Sequence, residues 1–273
     1  MSLFVIDQEK CLRCGTCAEV CPVKAIAVQE DSVPVPTAWA EQGCINCGHC
    51  VAVCPQGVFS LKRMPVSLCP PIEKELIPNE KQLGQFLRSR RSIRAYENKA
   101  VERGLIESVI NIACYAPSGM NAQPVHWKVI YESSEVVRLK DMVIEWMRCF
   151  VKEKHALAKA FNFKRMLTAC EAGMDIILRD APHVIIAHAP KGDPIAQSAC
   201  TIALTYLELA AKSFSLGTCW AGYLDAGLAY WTPLQHALEL PEGHISYGSM
   251  MIGYPKYRYH RLPLRNKAKI TWR

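Results

Sequence analysis

Short apolar runs set between polar loops open this chain, and longer helical and strand-like periods take over from residue 81. In the opening stretch Ile6, Ile26 and Val28 recur as Trp39, Phe59 and Leu61, each 33 residues on, which predicts short strands flanking two equivalent loops. Further on, Lys81–Arg90 reads as a short helix. Leu105, Val109 and Ile112 share one face of a helix over Val101–Ala116, which Pro117 stops. Trp127–Tyr131 alternates as a strand does, Glu135–Ala160 and Phe161–Arg179 read as helices, and His183–Ala189 is a short apolar strand. Gln197–Leu216 predicts a helix that is apolar on nearly all sides, hence buried in a core or a subunit interface, and capped by Gly217. Ile245–Ile252 predicts a last strand, ended by Gly253-Tyr254-Pro255. This succession predicts a layered α+β or α/β domain behind a small repeat.

Eight of the 14 cysteines fall on the repeat. Cys11, Cys14, Cys17 and Cys21 are spaced as C-x-x-C-x-x-C-x-x-x-C-P, and Cys44, Cys47, Cys50 and Cys54 repeat that spacing 33 residues later. Three thiolates within seven residues can grip one corner of an iron–sulfur cube, and the fourth, before proline, normally ligates the other cluster. The expected sets are therefore crossed: Cys11, Cys14, Cys17 and Cys54 for one [4Fe–4S] cluster, and Cys44, Cys47, Cys50 and Cys21 for the other. Zinc sites place their second cysteine pair a dozen or more residues away, and a disulfide framework implies secretion, so both fit less well. The segment resembles a bacterial two-cluster ferredoxin over residues 1–64. A domain of that size has little core, so the clusters would act as staples.

Composition narrows the rest. The N-terminus MSLFVIDQEK carries charges where a secretion signal needs an apolar run, and no apolar run reaches the ~18 residues of a membrane span, so a soluble, cytoplasmic protein without membrane contact is expected. The remaining cysteines, Cys69, Cys114, Cys149, Cys170, Cys200 and Cys219, stand singly and read as buried small hydrophobes. Residues 65–80 hold four prolines and read as a semi-rigid linker. The net charge of +7 comes from the C-terminal part; from Gly243 onward there are seven Lys/Arg and no acid. No nucleic-acid motif accompanies that tail, so a solvated basic face or a phosphate contact is expected rather than nucleic-acid binding. Neither GxGxxG after a strand nor GxxxxGK[ST] occurs.

Three separated stretches carry candidate chemistry. Arg90-Arg91-Ser92-Ile93-Arg94 offers three guanidinium groups and a hydroxyl, a set that can hold a phosphate or simply end a basic helix. Ala116-Pro117-Ser118-Gly119-Met120-Asn121-Ala122-Gln123-Pro124 is a polar turn with amides that can bond a heterocycle. Gly253-Tyr254-Pro255 is followed by Arg258, His260 and Arg261-Leu262-Pro263.

In this order and spacing the three stretches resemble the FMN-dependent nitroreductase family, over residues 80–273. The resemblance implies an α+β fold in which the two-cluster ferredoxin domain (1–64) and linker (65–80) precede an FMN-binding, nitroreductase-like domain (81–273) with α/β/α layers around a central, mainly antiparallel sheet. It also implies an intertwined homodimer with FMN at each subunit interface. Arg90, Arg91 and Ser92 would contact the FMN phosphate or ribityl chain, Arg261 the phosphate, and Arg94 the N1/O2 edge, where a cation favours the reduced flavin. Pro117, Ser118, Gly119 and Asn121 would come from the partner subunit. Gly217-Thr218-Cys219-Trp220-Ala221-Gly222-Tyr223 matches the region beside the N5/O4 edge, with the Ala221 and Gly222 amides as candidate contacts. Many relatives carry a polar residue in place of Ala221. No protein base is expected, because the flavin carries the chemistry. The implied activity is reduction of a small nitroaromatic, quinone or enone, with electrons arriving through the two clusters from a ferredoxin or other low-potential donor, or from NAD(P)H directly. The alternative is an electron carrier or redox sensor that serves a protein partner. Closure of the flavin face by Trp220, Tyr223 and the helix at Gln197–Leu216 would distinguish it.

Overall fold

The computed structural model describes residues 3–273, so the first two residues of the expected 1–64 domain lie outside it. Two units divide the chain: one runs to Pro78 and includes Gly119–Ala122, and the other comprises Asn79–Ser118 and Gln123–Arg273. No helix among the described residues is long and apolar enough to cross a membrane.

In the first unit, β1 (Phe4–Ile6), α1 (Thr16–Glu19), β2 (Ile26–Ala27), β3 (Val35–Pro36), α2 (Ala40–Gly43), α3 (His49–Ala52) and β4 (Phe59–Leu61) follow in order. Strand β1 pairs antiparallel with β4, and β2 with β3. The repeat persists in the backbone: α3 lies 33 residues after α1, and Arg13/Asn46, Gly15/Gly48 and Lys24/Gly57 are matched positive-φ positions. Gly15 at φ 72° and Gly48 at φ 73° precede the two short helices, a left-handed conformation that a side chain disfavours. Of the residues that the 33-residue pattern flagged, Ile26, Phe59 and Leu61 enter the core and Ile6 packs against it, whereas Trp39 is exposed and Val28 lies outside it; the Phe4 and Phe59 rings sit 4.6 Å apart. The expected linker includes two 3₁₀ turns, Val66–Leu68 and Lys74–Leu76.

The second unit opens with α4 (Glu80–Arg88), whose start is fixed by a reciprocal capping box: Asn79 and Gln82 each accept the other's backbone N–H, at 3.0 and 2.9 Å. Then come α5 (Arg103–Ala113), β5 (His126–Ile130), α6 (Ser133–Lys152), α7 (Ala156–Ala160), α8 (Phe163–Glu171), β6 (His183–Pro190), α9 (Ala196–Ser213), β7 (Gly217–Trp220), α10 (Gly222–Tyr230), α11 (Thr232–Ala237) and β8 (His244–Gly253). The sheet runs β5-β6-β8-β7 and is antiparallel at each pairing. Alternation along β6 sets the layers. Val184 and Ile186 join the core formed with α6, α8 and α10, while Ile185, Ala187 and Ala189 join the core formed with α5 and α9. Both faces are covered, so β6 is buried along nearly its whole length and mostly apolar, with His183 and His188 as its polar residues.

Several expectations are corrected. The helix expected over Glu135–Ala160 breaks at Lys154, whose φ of 55° lets the His155 N–H close back onto the Phe150 carbonyl at 2.9 Å. The one expected over Phe161–Arg179 ends at Glu171, where Gly173 (φ 83°) makes the same kind of stop. Helix α9 is closed by Ser215 in the left-handed region, with Leu216 N–H on the Ala211 carbonyl at 2.9 Å. Gly217 instead begins β7, opposite Gly253, and a Cβ there would stand 2.5 Å from Ile93. Among the single cysteines, Cys200 and Cys219 are buried, but Cys114 is exposed.

Candidate functional site

Two cavities in the first unit collect the repeated cysteines. One, of about 390 Å³, is lined by Cys11, Cys14, Cys17 and Cys54; the other, of about 360 Å³, by Cys44, Cys47, Cys50 and Cys21. Each cavity thus draws three thiols from one half of the repeat and the fourth from the other half, the crossed arrangement expected from the spacing. Among the described residues no three His, Cys, Asp or Glu side chains are set to hold a single ion; in each cavity four thiols border a common space instead. Burial pushes the Cys17 thiol up and the Cys50 thiol up to about 12. The Thr16 hydroxyl, donating to Cys14 Sγ at 3.3 Å, lowers that more exposed thiol. The Ala25 N–H donates to Cys21 Sγ at 3.3 Å, a contact of the kind that tunes a sulfur ligand.

Backbone hydrogen bonds bring three of the candidate stretches in the second unit together. The Ile93 N–H donates to the Thr218 carbonyl at 2.9 Å, Glu97 N–H to Tyr254 at 2.9 Å, and Lys256 N–H to Ala95 at 3.0 Å. The arginine-rich stretch is therefore clamped between the start of β7 and the Gly253-Tyr254-Pro255 turn. The conformational requirement on Gly217 and Gly253 comes from this close approach: a Cβ on Gly253 would stand 2.6 Å from Pro182 and 2.8 Å from Tyr96.

Around this clamp the charged groups are unevenly used. Arg90 Nη1 donates to Glu208 Oε1 at 2.8 Å, with the carboxylate side chain only 8% exposed. Burial raises the Glu208 carboxyl, and Arg90 opposes that rise. A guanidinium has five N–H donors, so the pair orients Arg90 without consuming it. Lys212, one turn along α9, donates to Ser89 Oγ and the Phe86 carbonyl. Arg94 instead lines an open cavity of about 900 Å³ with Arg179, Cys219, Trp220, Gly222 and Tyr223. Burial pushes the Cys219 thiol up, with Arg94 and Arg179 pulling the other way. Arg261 lies exposed in the irregular C-terminal segment.

Other expected residues are employed differently. The Ala221 N–H donates to the Ser249 carbonyl at 3.0 Å, so it is not available to a flavin; of the two candidate amides, Gly222 at the start of α10 is the one in the cavity wall. Asn121 belongs to the first unit with Gly119, and its Nδ2 donates to the carbonyls of Ile45 and Asn46 at 3.2 and 3.0 Å, beside Cys44 and Cys47. Its amide hydrogens are thereby engaged, against the expected cofactor contact. Pro117 and Ser118 border a separate cavity of about 440 Å³ with Trp127 and Ala199, not the one holding Arg94.

Sequence reasoning passed over Glu208, Arg179, Asp175 and Asp225. Glu208 was legible as the lone acid in an otherwise apolar helix interior. Asp225, on α10, lines a further large cavity and accepts a 2.5 Å hydrogen bond from Ser249 Oγ; burial pushes its carboxyl up to about 7. Nothing in the string distinguishes it from a surface acid.

Comparison with known proteins bears on both units. Residues 87–254 match the model of the nitroreductase family, and residues 3–55 match a 4Fe-4S dicluster domain. A protein of Archaeoglobus fulgidus with the provisional name NADH dehydrogenase/NAD(P)H nitroreductase is 26% identical over 177 residues, 63% of this chain and 84% of the relative. Among solved structures, an FMN-bound nitroreductase from Desulfitobacterium hafniense superposes with a TM-score of 0.58 at 22% identity, covering 72% of this chain and 99% of the other. An FMN-bound nitroreductase from Bacteroides fragilis gives 0.52 at 22% identity, covering 71% and 96%. At these identities the structural likeness carries the fold.

Proposed function

Because this chain belongs to the nitroreductase family and carries a 4Fe–4S dicluster domain ahead of that region, we propose that it is an FMN-dependent oxidoreductase that receives electrons through two [4Fe–4S] clusters and reduces a small, electron-poor organic acceptor. The observation that carries this reading is the pairing, on one polypeptide, of two cavities with crossed cysteine sets and an arginine-lined cavity beside the clamp at Ile93 and Thr218.

The residues present fit the groups. Two sets of four thiols suit two iron–sulfur clusters, which supply one-electron transfer. Arg90, Arg91, Ser92 and Arg261 provide cations and a hydroxyl for a phosphate and its chain, and Arg94 and the start of α10 at Gly222 face the cavity. FMN, when bound, supplies the conversion of single electrons into a pair delivered to the acceptor. Reduction of a nitro group to nitroso consumes two electrons and two protons and releases water. The protein's own part is electrostatic: Arg94 opposes negative charge that builds up in the cavity during reduction. Pro117, Ser118 and Gly119 are assigned to the second copy's share of an interfacial FMN site in a homodimer; Asn121 and the Ala221 amide leave the set. The open cavity favours an enzyme over an electron carrier, since Trp220 and Tyr223 stand in its wall without closing it.

The test is anaerobic loading with iron, sulfide and FMN, then rapid mixing with reduced ferredoxin or with NADPH. Bleaching of the flavin by ferredoxin, lost when the cluster cysteines are replaced, is the expected result. No bleaching by either donor would sink the reading. NADPH reduction at full rate without clusters, and no help from ferredoxin, would remove the clusters as the entry route.

A further inference from the structure

The loop between α8 and β6 is held with unusual firmness for an irregular segment. The Asp175 carboxylate accepts three backbone N–H groups: Ile177 and Leu178 at 2.9 Å each on Oδ1, and Asp180 at 3.0 Å on Oδ2. Ile177 and Leu178 are buried at 1% and 0% exposure, which anchors the loop in the core. Between these fixed points Arg179 and Asp180 are both left-handed, at φ 61° and 52°. Two consecutive non-glycine residues in that region cost roughly 1–2 kcal/mol each. A loop held against that cost points to a use for what it presents, and it presents the Arg179 guanidinium to the cavity that also holds Arg94.

That cavity has two arginines in its wall and no Asp or Glu. Among the described residues neither guanidinium is in an ion pair, whereas Arg90, a few residues from Arg94, is matched by Glu208. Two unpaired like charges facing one cavity, with Arg179 partly buried, favour an anion between them. Arg94 is accounted for by the cofactor; Arg179 is not. Among the remaining apolar residues of the wall are aromatic side chains able to cover a ring: Phe161, 56% exposed, together with Trp220 and Tyr223.

We propose that Arg179 is the anion anchor of the acceptor site, so that the cavity selects planar, electron-poor aromatic acceptors bearing a carboxylate. The guanidinium presents a fork that matches a carboxylate in bidentate fashion, and the aromatic side chains cover the ring. Asp175 is a positioning residue: it holds the backbone from which Arg179 projects. This rests on the reading of the second unit as an FMN enzyme.

The experiment is calorimetric titration of the full-length, FMN-loaded protein with benzoate and with benzamide, which share a shape and differ in charge. FMN affinity is measured on the same preparations by fluorescence. Loss of one charge-assisted contact corresponds to roughly tenfold or more in affinity. Wild type is therefore expected to bind benzoate at least about tenfold more tightly than benzamide, Arg179→Gln to bind both alike, and Arg179→Lys to keep part of the preference. Asp175→Asn, with the guanidinium intact, is expected to reduce the preference without removing it. Equal affinities in the wild type overturn the proposal, with no variant needed. An unchanged preference in Arg179→Gln overturns it as well. If Arg179→Gln loses FMN affinity instead, Arg179 belongs to the cofactor and the anchor is refuted. Failure of the wild type to take up FMN at all removes the parent reading. Normal FMN uptake without charge preference removes only the anchor.

Discussion

Replacing Asp225 with Asn separates the burial of a carboxyl from its hydrogen bond. Asn keeps an oxygen to accept from Ser249 Oγ and has nothing to ionise. In the folded protein the Asp225 carboxyl holds its proton up to about 7, against 3.8 for the ordinary group. Unfolding therefore releases a proton in the window between those values. The native state binds more protons there, so native stability falls as pH rises from about 4 to about 7 and is level above that. At 1.36 kcal/mol per pH unit the full cost approaches roughly 4 kcal/mol. Asp225 is only partly buried and lines an open cavity, so solvent screening brings the expected figure to about 2 kcal/mol. For a unit of this size that is about 4–8 °C in Tm. The assay is thermal unfolding of wild type and Asp225→Asn at pH 5, 6, 7 and 8, followed by near-ultraviolet circular dichroism. The variant should be the more stable one, with the gap opening toward pH 8. A gap of constant size across that range, or a variant less stable at pH 8, would refute the reasoning.

Three further outcomes follow from the geometry. Cys21→Ala should remove the cluster bounded by Cys44, Cys47 and Cys50, though it lies in the other half of the repeat, and iron content should fall to about half; retention of that cluster with loss of the other one contradicts the crossed set. Arg90→Ala leaves the Glu208 carboxylate buried without a partner and should cost roughly 2–4 kcal/mol in urea denaturation, with Glu208→Gln added to the same chain recovering most of it; no loss would mean that the pair is incidental. Arg261→Ala should weaken FMN binding severalfold by fluorescence titration, and unchanged affinity removes Arg261 from the phosphate site.

What could be read from the string depended on how local its cause was. The cysteine repeat was legible because its spacing is written in the chain itself, and the matched φ angles at Gly15 and Gly48 echo it. Strand β5 was legible because alternation is a local period, and β6 because a short, mostly apolar run is a local signal too. The break at Lys154 was not, since KEKH holds neither Gly nor Pro and only the return of His155 onto Phe150 fixes it. Helix α10 starts inside the stretch 217–223, whose residues point to chemistry rather than to a helical period, and α11 follows it. The candidate site divides in the same way. The arginine run was visible, but Glu208 pairs with Arg90 across 118 residues, and that distance conceals the partner. The Ala221 N–H and the Asn121 side-chain amide have partners within the chain, which a motif does not reveal, because it names residues without saying which of their hydrogen-bond groups are already taken.

The exchange of one cysteine between the two halves of the repeat bears on the order of synthesis. Cys54 closes the cavity begun at Cys11, and Cys21 waits for Cys44, Cys47 and Cys50. While the chain emerges from the ribosome, the cavity of Cys21 has its four thiols only once residue 50 is out, and that of Cys11 only at residue 54. Before that point the first half offers three thiols to one cavity and a single thiol to the other. The two sites then become complete within a few residues of one another, so filling is timed to a single late moment, and a chain cut between the halves would carry no finished site at all.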